Sequence, residues 1–149
     1  MQKIITFLFL AALTVGLQAG EAKWLTDFEK VKQQAQKEDK AILMDFTGSD
    51  WCPPCKALKK NVFDKSEFKE FAEKKLVLME LDFPNDKSKI TPKIATSNKK
   101  LSDEFNITAY PTIVVLDKSG KELGRMRGYG GDSPAAYIQK LEDLLAKAK

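Results

Sequence analysis

Two cysteines and the residues between them are the part of this sequence best suited to chemistry. Cys52 and Cys55 are separated by Pro53 and Pro54. The pair follows a short apolar run, residues 41–46, and proline is tolerated in a first helical turn, so we predict a strand, a loop and then a helix that begins at the cysteines. The helix dipole and free N–H groups would stabilise a thiolate at Cys52. We therefore predict that Cys52 is an exposed nucleophile, and that Cys55 is a buried thiol that resolves the mixed disulfide.

The absence of histidine narrows the chemistry that this pair can do. None of the 149 residues is histidine, and there is no third cysteine. Cys–His and Ser–His nucleophile pairs are therefore excluded, and a zinc ion would have to recruit carboxylates to complete its ligands. A purely structural disulfide is disfavoured because so short a loop restricts the unfolded chain little. We predict thiol–disulfide exchange with no metal and no cofactor.

The composition is that of an ordinary globular domain. Hydrophobic residues make up 43% of the chain and charged residues 31%, and its length suits a single domain. The net charge of +4 comes from interspersed lysines and acids, which does not suggest a nucleic-acid-binding protein. We expect a monomer.

The first residues have the layout of a secretory signal peptide. Lys3 precedes an almost wholly apolar segment, residues 4–17, and small residues follow it. We predict a signal peptide over residues 1–19, cleaved after Ala19 or alternatively after Ala22, and a mature domain over residues 20–149. The alternative is an uncleaved N-terminal membrane anchor. Export to the periplasm or the medium would place the cysteines in an oxidising compartment, where a disulfide persists.

Hydrophobic periodicity predicts alternating helices and strands along the mature chain. Strands are predicted over residues 41–46, 76–81, 112–116 and 122–127. Helices are predicted over residues 24–37 (alternatively from a capping box at Thr26), 52–61, 66–75 and 99–105, and from Pro134 onwards. Residues 82–98 are polar and are predicted to be the longest loop, alternatively with a short helical turn inside it. This order indicates an α/β fold in which helices flank a mixed central sheet.

Two segments resemble the thioredoxin superfamily. Residues 44–56, MDFTGSDWCPPCK, are similar to its strand–WCxxC–helix active site. Residues 107–129, ITAYPTIVVLDKSGKELGRMRGY, are similar to its X-Pro-Thr segment. The resemblance covers roughly residues 23–146 and is greatest to the exported bacterial branch, which includes the C-terminal domain of the Dsb-system membrane electron transporter. It implies a thioredoxin fold and a thiol:disulfide oxidoreductase.

The resemblance also implies roles for residues around the cysteines. Pro111 would follow a cis peptide bond and face the disulfide, and Tyr110 would pair with the substrate backbone. Trp51 would contact substrate beside Pro53 and Pro54, or else only pack in the core or at the rim.

Asp45 is open to two interpretations. The resemblance implies a buried carboxylate beneath the disulfide that takes the proton of Cys55, with its pKa raised by desolvation. The alternative is an Asp at a strand end that reaches solvent. The loop after this strand carries one residue more than the usual thioredoxin spacing to Cys52. An acid, Glu80, also stands where many thioredoxins have lysine, and it would disfavour a thiolate.

The family contains reductases, oxidases and isomerases, and the residues between the cysteines favour a reductase. Neither Pro53 nor Pro54 offers an N–H or a side-chain donor to a thiolate, and no histidine is present. We predict a reductase of client proteins with disulfides or thiols, recharged by a membrane thiol electron donor, with no nucleic-acid partner. The alternatives are an oxidase or isomerase, and a non-catalytic module that binds peptides along Tyr110 and Pro111.

Overall fold

The computed structural model describes residues 22–148, and the predicted signal peptide lies outside them. The described residues form one five-stranded mixed sheet in the order β1-β3-β2-β4-β5. β3 runs parallel to β1 and β2, whereas β4 is antiparallel to both β2 and β5. The strands are β1 (Trp24–Leu25), β2 (Ala41–Thr47), β3 (Leu76–Asp82), β4 (Thr112–Leu116) and β5 (Glu122–Arg127).

Five α-helices connect and cover the strands. They are α1 (Phe28–Glu38), α2 (Pro53–Leu58), α3 (Ser66–Lys75), α4 (Pro92–Glu104) and α5 (Pro134–Leu145). A π-helical turn, Lys59–Phe63, extends α2 directly, and short 3₁₀ turns lie at Lys87–Lys89 and Ala146–Ala148. None of the helices in residues 22–148 is long and apolar enough to span a membrane.

Side chains that alternate along β2 divide the core into two layers. Leu43 belongs to the layer that packs under α2, α3 and α5, whereas Met44 belongs to the layer under α1 and α4. Asp45 shares the face of Leu43, so it lies beneath the helix that carries the cysteines. The predicted α/β architecture with a mixed sheet is confirmed.

The predicted helix start at residue 24 is wrong. Trp24 and Leu25 pair in parallel with Leu78 and Met79 as an edge strand. The helix begins only after Asp27, whose carboxylate accepts the N–H groups of Glu29 and Lys30 at 3.1 and 3.2 Å. Asp27 is therefore the cap, rather than Thr26.

The predicted loop over residues 82–98 is also wrong in its second half. α4 begins at Pro92, after Thr91 caps it by accepting the N–H of Ile94 at 3.3 Å. The segment is so polar because only Asn98 and Leu101 of this helix are buried. Proline at the first position and a threonine cap were the local signals of this start.

Candidate active site

The two cysteines form a disulfide at the start of α2. Their Cα atoms are 5.3 Å apart, and Cys52 is the N-cap residue of the helix. The exposed fractions are only 2% for Cys52 and 4% for Cys55, so the predicted exposure of Cys52 is wrong for this oxidised state. Position in the helix, rather than exposure, distinguishes the two sulfurs.

Few donors surround the Cys52 sulfur. The backbone N–H of Cys55 donates to Cys52 Sγ at 3.3 Å, and among the described residues it is the one hydrogen bond to this sulfur. Pro53 and Pro54 occupy the first two helical positions and have no N–H to offer. A Cys52 thiolate would thus depend on one N–H group and the helix dipole.

The helix of the cysteines changes its winding within two turns. At Lys59–Phe63 it becomes a π-helical turn, in which the N–H of Asp64 donates to the carbonyl of Lys59 at 2.9 Å. The sequence has Lys60, not proline, at the place where many thioredoxins carry a proline. The irregularity therefore arises without proline, and it places Val62 and Phe63 in the core.

Asp45 is buried, so the alternative in which it reaches solvent is wrong. Its exposed fraction is 6%, and its Oδ1 atom has no hydrogen-bond partner within residues 22–148. Burial raises the pKa of this carboxyl well above its ordinary value, and the nearby acids Glu80 and Asp82 raise it further, against a smaller lowering by Lys59.

Glu80 lies beside Asp45 in the sheet. The two residues are partners in the parallel register of β2 and β3. Partial burial raises the pKa of Glu80, and Asp82 adds to that effect. Two carboxyls that resist ionisation therefore sit side by side on the face under α2.

Two of the predicted substrate-contact residues, Trp51 and Tyr110, contact each other through their rings. The ring of Trp51, 41% exposed, meets the ring of Tyr110 edge-on with centroids 5.6 Å apart. The Tyr110–Pro111 peptide bond is cis. Pro111 is buried, and its carbonyl accepts the N–H of Gly128 at 2.8 Å. Whether Pro111 faces the disulfide stays a prediction.

The side chain of Trp51 is fixed by a hydrogen bond and by a close packing contact. Its Nε1 donates to the carbonyl of Phe83 at 2.8 Å. The indole also lies so close to Gly48 that a Cβ at this position would clash with the ring. The indole can therefore occupy this position only because residue 48 is glycine.

Sequence analysis missed the residues that fix the loop before Cys52. Asp82, at the end of β3, accepts the N–H of Ser49 at 2.8 Å and its hydroxyl at 2.6 Å. The signal was present in the sequence: a serine in a loop one residue longer than usual, and an acid directly after a buried apolar run.

A second anchor of the same loop was also missed. The Asp50 carboxylate accepts the backbone N–H groups of Asp86 at 3.0 Å and Asn85 at 2.9 Å. These two bonds, aided by Lys89, lower the pKa of Asp50 to about 2. The loop that precedes the cysteines is thus tied at consecutive residues to β3 and to the segment that follows it.

Within residues 22–148, no group of three or more acidic or cysteine side chains is arranged to hold a metal ion.

Comparison with known proteins identifies the family. Residues 28–145 match the thioredoxin-like domain family. The chain belongs to this family. The disulfide bond reductase DsbH of Chlamydia pneumoniae is 32% identical over 129 residues, which cover 87% of this chain and 76% of DsbH.

Two further comparisons agree. A solved structure titled DsbH oxidoreductase superposes with a TM-score of 0.78 at 29% identity and covers 98% of this chain and 95% of that one. The thiol:disulfide interchange protein DsbD of Actinobacillus pleuropneumoniae is 31% identical over 125 residues, which are 78% of this chain but only 20% of DsbD. Together with the Cys52–Cys55 disulfide, these relationships make this thioredoxin-like chain a thiol:disulfide oxidoreductase.

Proposed function

We propose that the protein is an exported reductase that transfers two electrons from the Cys52–Cys55 dithiol to disulfides of client proteins. The observation that carries this direction is the donor-poor surrounding of Cys52 Sγ, where one N–H group is in reach at 3.3 Å. Strong oxidants of this chemistry stabilise their reduced form. A thiolate with few donors is less stabilised, so the dithiol gives up its electrons more readily.

The acids under α2 act in the same direction. Asp45 and Glu80 are neighbours across β2 and β3, and each carries a raised pKa. When either is ionised, its negative charge opposes a thiolate nearby. The buried carboxyl of Asp45 and the partly buried carboxyl of Glu80 thus add to the effect of Pro53 and Pro54.

The proposed cycle consists of two exchanges. The Cys52 thiolate attacks one sulfur of the client disulfide, forms a mixed disulfide and expels the other client sulfur as a thiolate. Cys55 then loses its proton and attacks Cys52 Sγ, which releases the second client sulfur and leaves the Cys52–Cys55 disulfide. The client gains two electrons and the protein loses two.

Asp45 is the proposed acceptor of the Cys55 proton. It lies on the face under α2, and a carboxyl whose pKa is raised by burial is a stronger base when ionised than an exposed one. On that face of the sheet Asp45 is 6% exposed, Asp82 on β3 is 8% exposed and Glu80 is only partly buried.

A membrane thiol donor is the proposed source of electrons for the next cycle. The relatives support this setting: one is named a disulfide bond reductase and another a thiol:disulfide interchange protein. The basic and apolar layout of residues 1–19 supports export, with action in the periplasm or outside the cell.

The proposed contact surface for the client backbone consists of Trp51, Pro53, Pro54, Tyr110 and Pro111. The contact between the Trp51 and Tyr110 rings supports a common surface. An extended client segment would add its backbone along Tyr110 while its disulfide meets Cys52.

Insulin reduction in the presence of dithiothreitol tests this function. The wild-type protein should accelerate precipitation of the insulin B chain well above the rate with dithiothreitol alone. The Cys52→Ser variant should give only the background rate. A wild-type rate equal to background would contradict the proposal and favour a module that binds peptides without turnover.

A further inference from the structure

A groove lined in part by Tyr110 is not used in the cycle described above. It has a volume of about 380 Å³ and lies between the segment after β3 and helix α4. Its apolar lining consists of Phe83, Pro84, Ile90, Ala95 and Tyr110. A concave apolar site of this size suits one or two large side chains.

The groove is continuous with the proposed client surface. The Tyr110 ring contacts the ring of Trp51, with centroids 5.6 Å apart, and the ring of Phe83, with centroids 5.3 Å apart. Trp51 directly precedes Cys52 and donates to the carbonyl of Phe83. Trp51, next to Cys52, thus contacts Tyr110, which lines the groove. A polypeptide bonded to Cys52 could therefore extend past these two rings into the groove.

Two lysines, Lys87 and Lys99, line the groove. Lys87 donates to the carbonyl of Pro84 at 2.8 Å and forms no ion pair within residues 22–148. Lys99 is paired with Asp103 at 2.8 Å in an exposed and therefore weak ion pair. Of the acids that line the groove, Asp103 pairs with Lys99, whereas Asp82 is buried and accepts hydrogen bonds from the neutral N–H and hydroxyl groups of Ser49. Lys87 is thus the exposed lysine of the lining that has no carboxylate partner within the described residues.

We propose that this groove is the specificity pocket for the client: it binds one large apolar side chain, next to a carboxylate that pairs with Lys87, on the client segment near the disulfide being reduced. The inference rests on the proposed reductase function and deepens it by naming the substrate class. Burial of the client's apolar side chain in the groove would supply affinity. Lys87 would favour a client with a carboxylate next to that side chain.

The test compares three synthetic peptides with one disulfide each, which carry Phe-Glu, Phe-Lys or Ser-Ser at the same distance from the cysteine. The wild-type dithiol should reduce the Phe-Glu peptide with a kcat/KM about tenfold above that of the Ser-Ser peptide, and severalfold above that of the Phe-Lys peptide. Ala95→Trp should fill the groove and abolish the preference for Phe. Lys87→Glu should reverse the preference between Glu and Lys.

Matched controls separate binding from chemistry. Ala135→Trp on α5 and Lys74→Glu on α3 make the same changes at exposed positions and should retain the wild-type preferences. All variants should reduce the small neutral probe 2-hydroxyethyl disulfide at the wild-type rate. Equal kcat/KM for the three peptides, or a preference that survives both groove variants, would overturn the specificity pocket while leaving the reductase function intact.

A binding measurement distinguishes failure of the pocket from failure of the reductase. Cysteine-free Phe-Glu and Ser-Ser peptides are titrated calorimetrically onto the oxidised protein. Tighter binding of the Phe-Glu peptide, lost in Ala95→Trp, would support the pocket even if no disulfide were reduced. Equal binding of the two peptides would contradict it, as would a dimer of the chain that Ala95→Trp dissociates.

Discussion

At the scale of single residues, the geometry distinguishes Cys52 from Cys55 by place in the helix. Cys52 caps α2 and accepts a hydrogen bond from the N–H of Cys55, whereas Cys55 lies within the first turn. We predict that Cys55→Ser accumulates mixed disulfides with client proteins and that Cys52→Ser does not, because the attacking thiolate is at position 52. Non-reducing gels of extracts exposed to each variant measure this. Equal accumulation by both variants would invalidate the assignment.

Asp45 makes a second prediction at this scale. Its pKa is raised in the folded protein, so the unfolded chain releases this proton first as the pH rises, and stability is lost between the ordinary pKa of 3.8 and the raised one. Asp45→Asn removes that loss. We expect the oxidised variant to be more stable than wild type at pH 7 by roughly 1–3 kcal/mol, because an unpartnered buried carboxylate is removed.

The gain should disappear below pH 3.8, where the carboxyl is protonated in both states. Chemical denaturation at a series of pH values measures it, and Asp143→Asn on the exposed face of α5 is the control. The same variant should resolve mixed disulfides more slowly, since Cys55 loses its proton acceptor. A stability difference that is independent of pH would contradict the raised pKa.

At the scale of elements, the loop between β2 and α2 is fixed by its bonds to the end of β3. Ser49→Ala removes the hydroxyl bond of 2.6 Å to Asp82 and leaves the backbone bond in place. We expect a loss of about 1 kcal/mol in unfolding free energy and a slower reaction of reduced Cys52, because the loop that positions it is loosened. Thermal unfolding and alkylation rates measure these effects.

Ser66→Ala is the matched control for that variant. The Ser66 hydroxyl contacts only its exposed neighbour Glu67 at 3.1 Å, so its removal should change neither stability nor alkylation rate. If Ser49→Ala also left both unchanged, the bond to Asp82 would not position the loop.

The sequence predicted the elements whose own residues carry the pattern. β2, β3, β4 and β5 have apolar or β-branched runs, and α2 begins at the predicted cysteines. The start of α4 was hidden because a helix with two buried residues shows no strong periodicity. Trp24 was misassigned because an apolar residue that packs against the core can belong to a helix or to an edge strand, and here it belongs to the edge strand β1.

In the site, too, the residues that belong to local motifs could be predicted, whereas the contacts between distant residues could not. The cysteines and Pro111 are visible as motifs, whereas the bonds of Asp82 to Ser49 and of Asp50 to Asn85 join residues more than thirty positions apart. A local pattern marks Ser49 and Asp82 as candidates, but which residues pair over this separation depends on how the strands and loops are brought together in the fold. The burial of Cys52 likewise depends on how the whole chain packs around the helix start.

At the scale of the whole molecule, the sheet brings together a disulfide with few hydrogen-bond donors, the buried acid Asp45, the partly buried acid Glu80 and an aromatic surface. Each lost charge-assisted donor would cost the thiolate on the order of 1–3 kcal/mol, and roughly 1.4 kcal/mol corresponds to about 30 mV for a two-electron couple. Pro54→His adds a side-chain donor near Cys52. We expect this variant to have a more oxidising potential and a lower pKa of the Cys52 thiol, which alkylation rates at a series of pH values report.

The reduction potential of the wild-type Cys52–Cys55 couple tests the reductase most directly. Equilibration with dithiothreitol or glutathione buffers, followed by quantification of the oxidised fraction, gives its value. A reductase with one N–H group on the Cys52 sulfur should have a potential near that of thioredoxin, about −270 mV. A value near about −120 mV, that of a strong oxidant, would contradict the proposed direction of electron flow.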